Sequence, residues 1–98
     1  MDKALQLLSL AMRAGKIASG EFKTEESVKA SKARLVVIAS DASDNTKKKF
    51  SNMCEFYKVP LRVYATKDEL GRAMGKEFRA SLAVTDKGLA QAVMEKMD

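Results

Sequence analysis

The residue types that most often carry catalysis are scarce in this chain. It has no histidine, and Cys54 is its only cysteine. The commonest general base and the commonest metal ligand are therefore absent, and one cysteine can form neither an intramolecular disulfide nor a multi-thiolate metal site. Cys54 also falls in the apolar stripe of a predicted helix, with Phe50, Met53 and Tyr57 at helical spacing. We expect a buried structural thiol, no catalytic residue and no cofactor.

Two polar segments carry charged side chains that could bind ions. Residues 40–45 carry two carboxylates, Asp41 and Asp44, but lack the glycine and the terminal glutamate of a calcium loop. Capping of a helix explains these residues better, and we expect no metal site. The lysines of residues 47–49 fan around most of a helix, so a solvated helix surface explains them better than a phosphate site does. That run could still add a non-specific attraction for RNA.

The segment best suited to bind a ligand is residues 19–23. Gly20 precedes a predicted helix, and first-turn amides of a helix have no intrahelical acceptor and can bind an anion. Lys16, Lys23, Lys29 and Lys32 fall within reach of the same end or face. The helix, about residues 21–31, is almost wholly polar, which is typical of an edge helix or of one whose exposed face has a role. A tight strand-to-helix turn followed by a solvated helix is the alternative explanation.

The remaining patterns predict the elements that position this segment. An amphipathic helix begins after Asp2 and ends at Gly15, and the aliphatic run of residues 35–39 is typical of a strand covered on both faces. Strands are also predicted at residues 61–65 and 82–84. The residues that cap the later helices are Ser43 or Asp44, the Thr66–Glu69 capping box of a short helix ending at Gly75, and Asp86. The GxxxG spacing within residues 70–75 is explained best by close packing of that short helix on the sheet. The order α-β-α-β-α-β-α-β-α predicts an α/β fold, a three-layer α/β/α sandwich whose small central mixed sheet has about four strands and helices on both faces.

Length and charge limit the function classes. With 98 residues the chain fits one domain, residues 1–98. Its 18 Lys and Arg exceed its 13 Asp and Glu, and the net charge of +5 favours polyanionic partners. The first residues make a poor signal peptide, and no apolar run is long enough to span a membrane. We expect a cytoplasmic protein that does not bind membranes and is a monomer when free.

The order of the residues resembles a known family. Residues 20–41 (GEFKTEESVKASKARLVVIASD), 59–75 (VPLRVYATKDELGRAMG) and 81–89 (SLAVTDKGL) are similar to the kink-turn RNA-binding family of ribosomal proteins L7Ae and L30e. The stretches LLSLAMRAGKIASGE and DASDNTKKK resemble its bacterial YlxQ-like branch in particular. The resemblance covers essentially the whole chain, and its VP…TK-x-x-LG segment is fairly specific.

The resemblance implies a binding role without catalysis. The family recognises structured RNA through the glycine-led start of the second helix and through a loop that follows the LGxAxG segment, here near residues 75–79. A kink-turn or a variant of it, ribosomal RNA, another RNA met in translation, and the ribosome itself are the partners implied. The expected RNA-binding residues are Lys16, Gly20, Glu21, Phe22, Lys23, Glu26, Lys29, Lys32, Lys76, Phe78 and Arg79.

The sequence departs from the family at the positions that contact bases. The motif G-x-N-E-x-x-K falls on residues 20–26, where only Gly20 matches: Phe22 replaces Asn, Lys23 replaces Glu and Glu26 replaces Lys. Residues 76–79 replace loop residues that are commonly aliphatic. A changed or weaker RNA target is expected. Two alternatives remain open: a protein-interaction module on the same fold, and a recognition domain that serves a separate RNA methyltransferase.

Overall fold

Five helices and four strands alternate in the computed structural model, which describes residues 1–98. The elements are α1 Lys3–Arg13, β1 Ile17–Ser19, α2 Glu21–Lys29, β2 Leu35–Ile38, α3 Asp44–Tyr57, β3 Leu61–Val63, α4 Lys67–Ala73, β4 Ser81–Val84 and α5 Lys87–Met97. The predicted order is confirmed. Helix α2 ends two residues before the expected Ser31, which has a left-handed φ of 59°, and Gly75 follows α4 with a φ of 73°.

The sheet has the strand order β1-β4-β2-β3. Strands β2 and β3 are parallel, whereas β4 is antiparallel to both of its neighbours, β1 and β2. Every residue of β2 and β4 is buried, as expected for central strands covered on both faces. Because β1 and β4 run in opposite directions with Ser19 opposite Leu82, the end of β1 and the start of β4 meet at one end of the sheet.

The helices divide into two layers. Helices α2 and α3 pack together and α2 contacts β4 and β1, whereas α1 packs with α4 and α5, and α5 contacts β4. The core between the layers includes the fully buried Leu8, Val28, Leu35, Phe50, Leu70, Leu82 and Val93. This is the three-layer α/β/α sandwich that the sequence predicts. None of the five helices combines the length and the apolar character needed to cross a membrane.

Side chains cap the helices where the sequence predicts caps. Asp2, Ser43 and Asp86 accept hydrogen bonds from first-turn amides of α1, α3 and α5, and Thr66 and Glu69 form a complete capping box at α4. The carboxylate of Asp41 accepts the Lys67 N–H at 2.8 Å, so this residue supports α4. No three His, Cys, Asp or Glu side chains lie together in a group that could hold a metal ion.

The apolar stripe of α3 is shorter than predicted. Phe50 and Cys54 are buried and Met53 is half-buried, but Tyr57 is 38% exposed and makes an edge-to-face contact with Phe56. The prediction is wrong at Tyr57 because α3 ends there, and Lys58 turns the chain with a left-handed φ of 58°. Burial raises the pKa of the Cys54 thiol to about 11, so the nucleophilic thiolate is rare at neutral pH.

Helices α2 and α3 are joined by an ion-pair network. The Lys49 ammonium contacts Glu25 and lies 3.4 Å from a Glu21 oxygen, and Lys29 pairs with Glu25 at 2.9 Å. Hydrogen bonds from Lys49 and then Lys29 lower the pKa of Glu25 to about 2. Residues 47–49 lie on the helix surface, and two of them have partners there: Lys49 has the acidic residues of α2, and the Lys47 ammonium donates to the Ser40 carbonyl at 2.7 Å.

We predict that Cys54→Ala lowers the free energy of unfolding by about 1 kcal/mol or more, because it leaves a small cavity beside Phe50. Urea denaturation followed by circular dichroism measures this change. Cys54→Ser is the matched comparison: it keeps the volume but buries a hydroxyl among apolar side chains, so it should also destabilise. Unchanged stability in both variants would contradict a packing role for Cys54.

The α2–α3 network predicts a pH dependence of stability. The pKa of Glu25 is depressed in the folded protein, so its stabilising contribution is fully present above the ordinary glutamate pKa and is lost as the pH falls through about 2. The urea midpoint of Glu25→Gln should therefore fall less than that of the wild type between about pH 5 and about pH 2.5. Glu95→Gln, at an exposed α5 position, is the control and should follow the wild type. Identical pH profiles for all three proteins would show that the network contributes nothing.

Candidate nucleic-acid interface

Helix α2 begins at Gly20 without a side-chain cap. Gly20 has φ 97° and ψ 163°, a backbone conformation that is essentially restricted to glycine, and its N–H donates to the Ser81 carbonyl at 3.0 Å. The Thr24 N–H and hydroxyl both donate to the Gly20 carbonyl, at 2.9 and 2.6 Å. The N–H groups of residues 21–23, which precede Thr24 in the first turn of α2, have no acceptor within the helix. The predicted strand-to-helix turn is present. The N–H groups at the start of α2 are free to donate hydrogen bonds to a ligand.

The loop of residues 75–79 lies beside this helix end. The Arg79 guanidinium donates from Nε to the Ser19 hydroxyl at 2.8 Å, and the Arg79 N–H donates to the Lys67 carbonyl at 3.0 Å. A Cβ atom built on Gly20 would lie 3.9 Å from Arg79 Nε. Arg79 therefore joins two segments about sixty residues apart in the chain, and the structure brings together the two segments that the resemblance implies.

The shape of the loop is set by Gly71 of α4. A Cβ atom at this position would lie 2.3 Å from Phe78 Cα, which is closer than non-bonded atoms can approach, and the Gly71 carbonyl accepts the Lys76 N–H at 2.8 Å. The close approach at Gly71 is therefore to the loop, whose backbone at residues 77 and 78 occupies the space over it. Any side chain at Gly71 would displace the loop that carries Phe78 and Arg79.

Two exposed aromatic rings lie on these neighbouring segments. Phe22 is 77% exposed and Phe78 is 56% exposed. Lys23 and Lys76, the charged neighbours of these segments, are also exposed. Aromatic faces beside ammonium groups can stack on bases and attract phosphates at the same time.

The two flanks of α2 differ in their charges. On the α3 side, Glu21, Glu25 and Lys29 belong to the ion-pair network. On the other side, Lys23, Glu26 and Lys32 line a groove of about 290 Å³. Its other lining residues are Gly15, Ile17, Ala18, Ser27, Ala30 and Thr85.

The four predicted lysines therefore divide into three groups. Lys23 and Lys32 share the groove, as expected for a common face. Lys29 lies two turns from Phe22 on the same side of α2, but its ammonium is held by Glu25. Lys16 is exposed and does not line the groove, although its carbonyl accepts the Thr85 N–H at the groove's edge.

Sequence reasoning missed three residues that build this surface. Ser19 accepts from Arg79, Ser81 accepts from Gly20, and Lys49 holds the acidic flank of α2. Each acts on a residue at least 24 positions away, so hydrophobic periodicity and capping patterns carry no signal for it. Of these contacts, only the one made by Lys49 has a feature in the sequence, the lysine run of residues 47–49. The spacing of those lysines on α3 does not show that one of them has a partner on another helix.

The family model of the ribosomal protein L7Ae/L30e/S12e/Gadd45 family matches residues 2–94. The chain is 42% identical over 92 residues to the RNA-binding protein YlxQ of Bacillus subtilis (strain 168), covering 94% of this chain and 92% of the relative. It is 38% identical over 97 residues to the RNA-binding protein YlxQ of Enterococcus faecium, covering 99% of this chain and 93% of the relative. The large ribosomal subunit protein eL8 of Thermoplasma volcanium is 34% identical over 88 residues, covering 89% of this chain and 73% of the relative.

Two solved structures resemble the chain over nearly its full length. A protein of unknown function from Bacillus halodurans C has a TM-score of 0.96 and 36% identity, covering 100% of this chain and 99% of the other. A 15.5kD RNA binding protein of Giardia lamblia has a TM-score of 0.80 and 26% identity, covering 95% of this chain and 83% of the other. None of these descriptions names an enzyme. On the family match and the identities over almost all of its length, this chain belongs to the ribosomal protein L7Ae/L30e/S12e/Gadd45 family and to its YlxQ-like branch.

Proposed function

We propose that this chain binds structured RNA, without catalysis, through the surface formed by the start of α2 and residues 75–79. The observation that carries the proposal is the junction at Gly20, where an uncapped helix end, an exposed Phe22 and the Arg79 loop lie side by side. Relatives that match this chain over most of their own length are described as RNA-binding or ribosomal proteins.

Each part of the surface suits a different part of an RNA. The free N–H groups of the first turn of α2 can donate to a phosphate oxygen or to a base acceptor, and the Lys23 ammonium can donate to the O6 and N7 atoms of guanine. The Phe22 ring can stack on an unpaired base, and Phe78 can pack on a protruding nucleotide. Distorted, partly unstacked elements present such groups together, whereas a regular A-form helix does not.

The target that we propose is a kink-turn variant. Phe22, Lys23 and Glu26 stand where the family places Asn, Glu and Lys, so stacking replaces an amide contact and the charges of the two other positions are exchanged. Such a surface favours a different base or a different junction from the one that the family motif reads. Ribosomal RNA, or another RNA of translation, in the cytoplasm and bound by a monomer, is the setting that we propose.

A gel-shift series tests the function. The RNAs are a kink-turn hairpin, a set of variants with altered bases at the kink, and the same hairpin with the kink replaced by Watson–Crick pairs. We expect at least one kinked RNA to bind more tightly than the regular duplex. If every RNA binds equally weakly, the alternative of a protein-interaction module becomes the better account, and the same result would exclude recognition on behalf of an RNA methyltransferase.

We predict that Phe22→Ala weakens binding of the preferred RNA by about 1–3 kcal/mol, the usual cost of losing one stacked base. The matched control is Phe56→Ala, because Phe56 is also 77% exposed but lies on α3. Lys23→Glu should weaken binding by about tenfold or more through charge reversal beside phosphates. Its control is Lys96→Glu, an exposed position of α5 in the opposite helical layer.

Thermal unfolding separates binding from folding in these variants. Because Phe22 and Lys23 are exposed, both substitutions should leave the unfolding temperature close to that of the wild type. Unchanged RNA affinity in both variants, with intact folding, would remove this surface as the binding site. Equal losses in the α2 variants and their controls would mean that binding is a general effect of charge and exposed rings.

A further inference from the structure

We propose that a groove along α1 docks an acidic amphipathic helix of another protein, on a surface separate from the candidate RNA interface. The α1 groove has a volume of about 470 Å³ and is lined by Lys3, Gln6, Leu7, Leu10, Arg13 and Lys96. Five of these residues belong to α1, and Lys96 comes from α5, which packs on α1. Because α1 lies in the helical layer opposite α2, this proposal does not depend on the proposed RNA-binding function.

The apolar residues of the α1 groove lie on the side of α1 that the core does not use. With about 3.6 residues per turn, positions 3, 6, 7, 10 and 13 fall within about one third of the helix circumference. The buried Leu5, Leu8 and Ala11 fall on the other side. Leu10 is 48% exposed and Leu7 is half-buried. Single exposed leucines are common on protein surfaces, so it is the charges around these two that indicate a partner.

Every charged side chain of the α1 groove is a cation. Lys3, Arg13 and Lys96 are exposed, and none of them forms an ion pair within the protein. Asp2 and Asp98, the carboxylates at the adjoining ends of α1 and α5, are engaged by Tyr64 and Arg62. The groove therefore complements a partner that carries carboxylates on both sides of an apolar stripe.

The spacing within the α1 groove favours a helical partner. Lys3 and Arg13 stand near the two ends of α1, about 15 Å apart at the rise of an α-helix, and the two leucines lie between them. A partner helix of about four turns covers that distance. Its apolar face would bury Leu7 and Leu10, and glutamates one turn apart beside that face would reach the cations.

Two other occupants suit the α1 groove less well. An RNA backbone would pair with the cations, but it would not cover the leucines with apolar surface, and the groove has no aromatic ring on which a base could stack. A second copy of this chain in a two-fold contact would set the three cations against the same three cations, because such an interface uses one patch on both copies.

Fluorescence anisotropy with labelled model peptides tests the proposal. The acidic peptide has about 18 residues, or five helical turns, with leucines along one face, glutamates on both sides of it and alanines elsewhere. The wild type should bind this peptide about tenfold more tightly than two others. One has the same composition with leucines all round the helix, and the other has glutamine in place of glutamate. Equal affinity for the three peptides, or no binding of the acidic one, would overturn the proposal.

Substitutions in the α1 groove locate the binding. Leu10→Ala should weaken binding of the acidic peptide about tenfold by removing apolar area, and Lys96→Glu about fivefold by charge reversal. Both positions are exposed, so the unfolding temperature should stay close to that of the wild type. Phe56→Ala and Lys48→Glu, at exposed positions of α3, are the matched controls and should bind as the wild type does. Equal losses in variants and controls would overturn the proposal.

A charge swap distinguishes docking from attraction by net charge. The double variant Arg13→Glu/Lys96→Glu should prefer a peptide with lysine in place of glutamate, although its formal net charge remains positive, at +5 minus 4, or +1. A double variant that still prefers the acidic peptide would overturn the proposal.

Titration of the acidic peptide onto protein saturated with the preferred kinked RNA separates the two surfaces. The peptide affinity should be unchanged, and Leu10→Ala and Lys96→Glu should bind that RNA as the wild type does. Loss of RNA affinity in both variants would make the α1 groove part of the RNA interface and overturn the proposal. A wild-type dimer in sedimentation velocity that Leu10→Ala dissociates would assign the groove to a second copy and also overturn it. Absence of RNA binding, with the peptide results as expected, would overturn the proposed function alone.

Discussion

The hydrogen bond from the Gly20 N–H to the Ser81 carbonyl holds together the two parts of the chain that form the candidate interface. It joins the end of β1 to the start of β4, at the end of the sheet where α2 begins and the loop of residues 75–79 closes. Immediately after this bond the chain turns into α2 through the positive φ of Gly20, which a residue with a Cβ atom adopts only with strain. The Arg79 contact to Ser19 follows from the same geometry, because Arg79 lies two residues before β4.

The charges around α2 follow from its place at this junction. One flank packs against α3, and there Lys49 neutralises the acidic residues Glu21 and Glu25. The other flank faces β1 and the groove, where Glu26 has no cationic partner. The helix therefore presents an exposed ring and an amide-rich end between a neutralised flank and a flank with unpaired charges.

Local signals in the sequence were sufficient for the architecture. Caps at Asp2, Ser43 and Asp86, the Thr66–Glu69 box and the aliphatic run of β2 each depend on residues within a few positions of one another, so they could be recognised without a structure. The element order then limited the fold to a sheet between two helical layers.

The contacts of the site could not be predicted in the same way. The pairs Arg79–Ser19 and Lys49–Glu25 depend on how helices and strands are arranged in space, which no local pattern specifies. The contact of Gly71 with the loop backbone is not specified by a local pattern either. The resemblance placed the site at residues 20–26 and 75–79, but it could not show that Lys29 is paired while Lys23 and Lys32 share a groove.

Mapping of backbone amide chemical shifts by NMR, with the preferred kinked RNA added in steps, tests most directly whether the Gly20 junction is one RNA-binding surface. The account predicts that the largest changes fall on residues 20–23 and on residues 76–79 at the same RNA concentration, because one RNA contacts both segments. Changes confined to one of these segments, or centred on the lysines of α3, would contradict it.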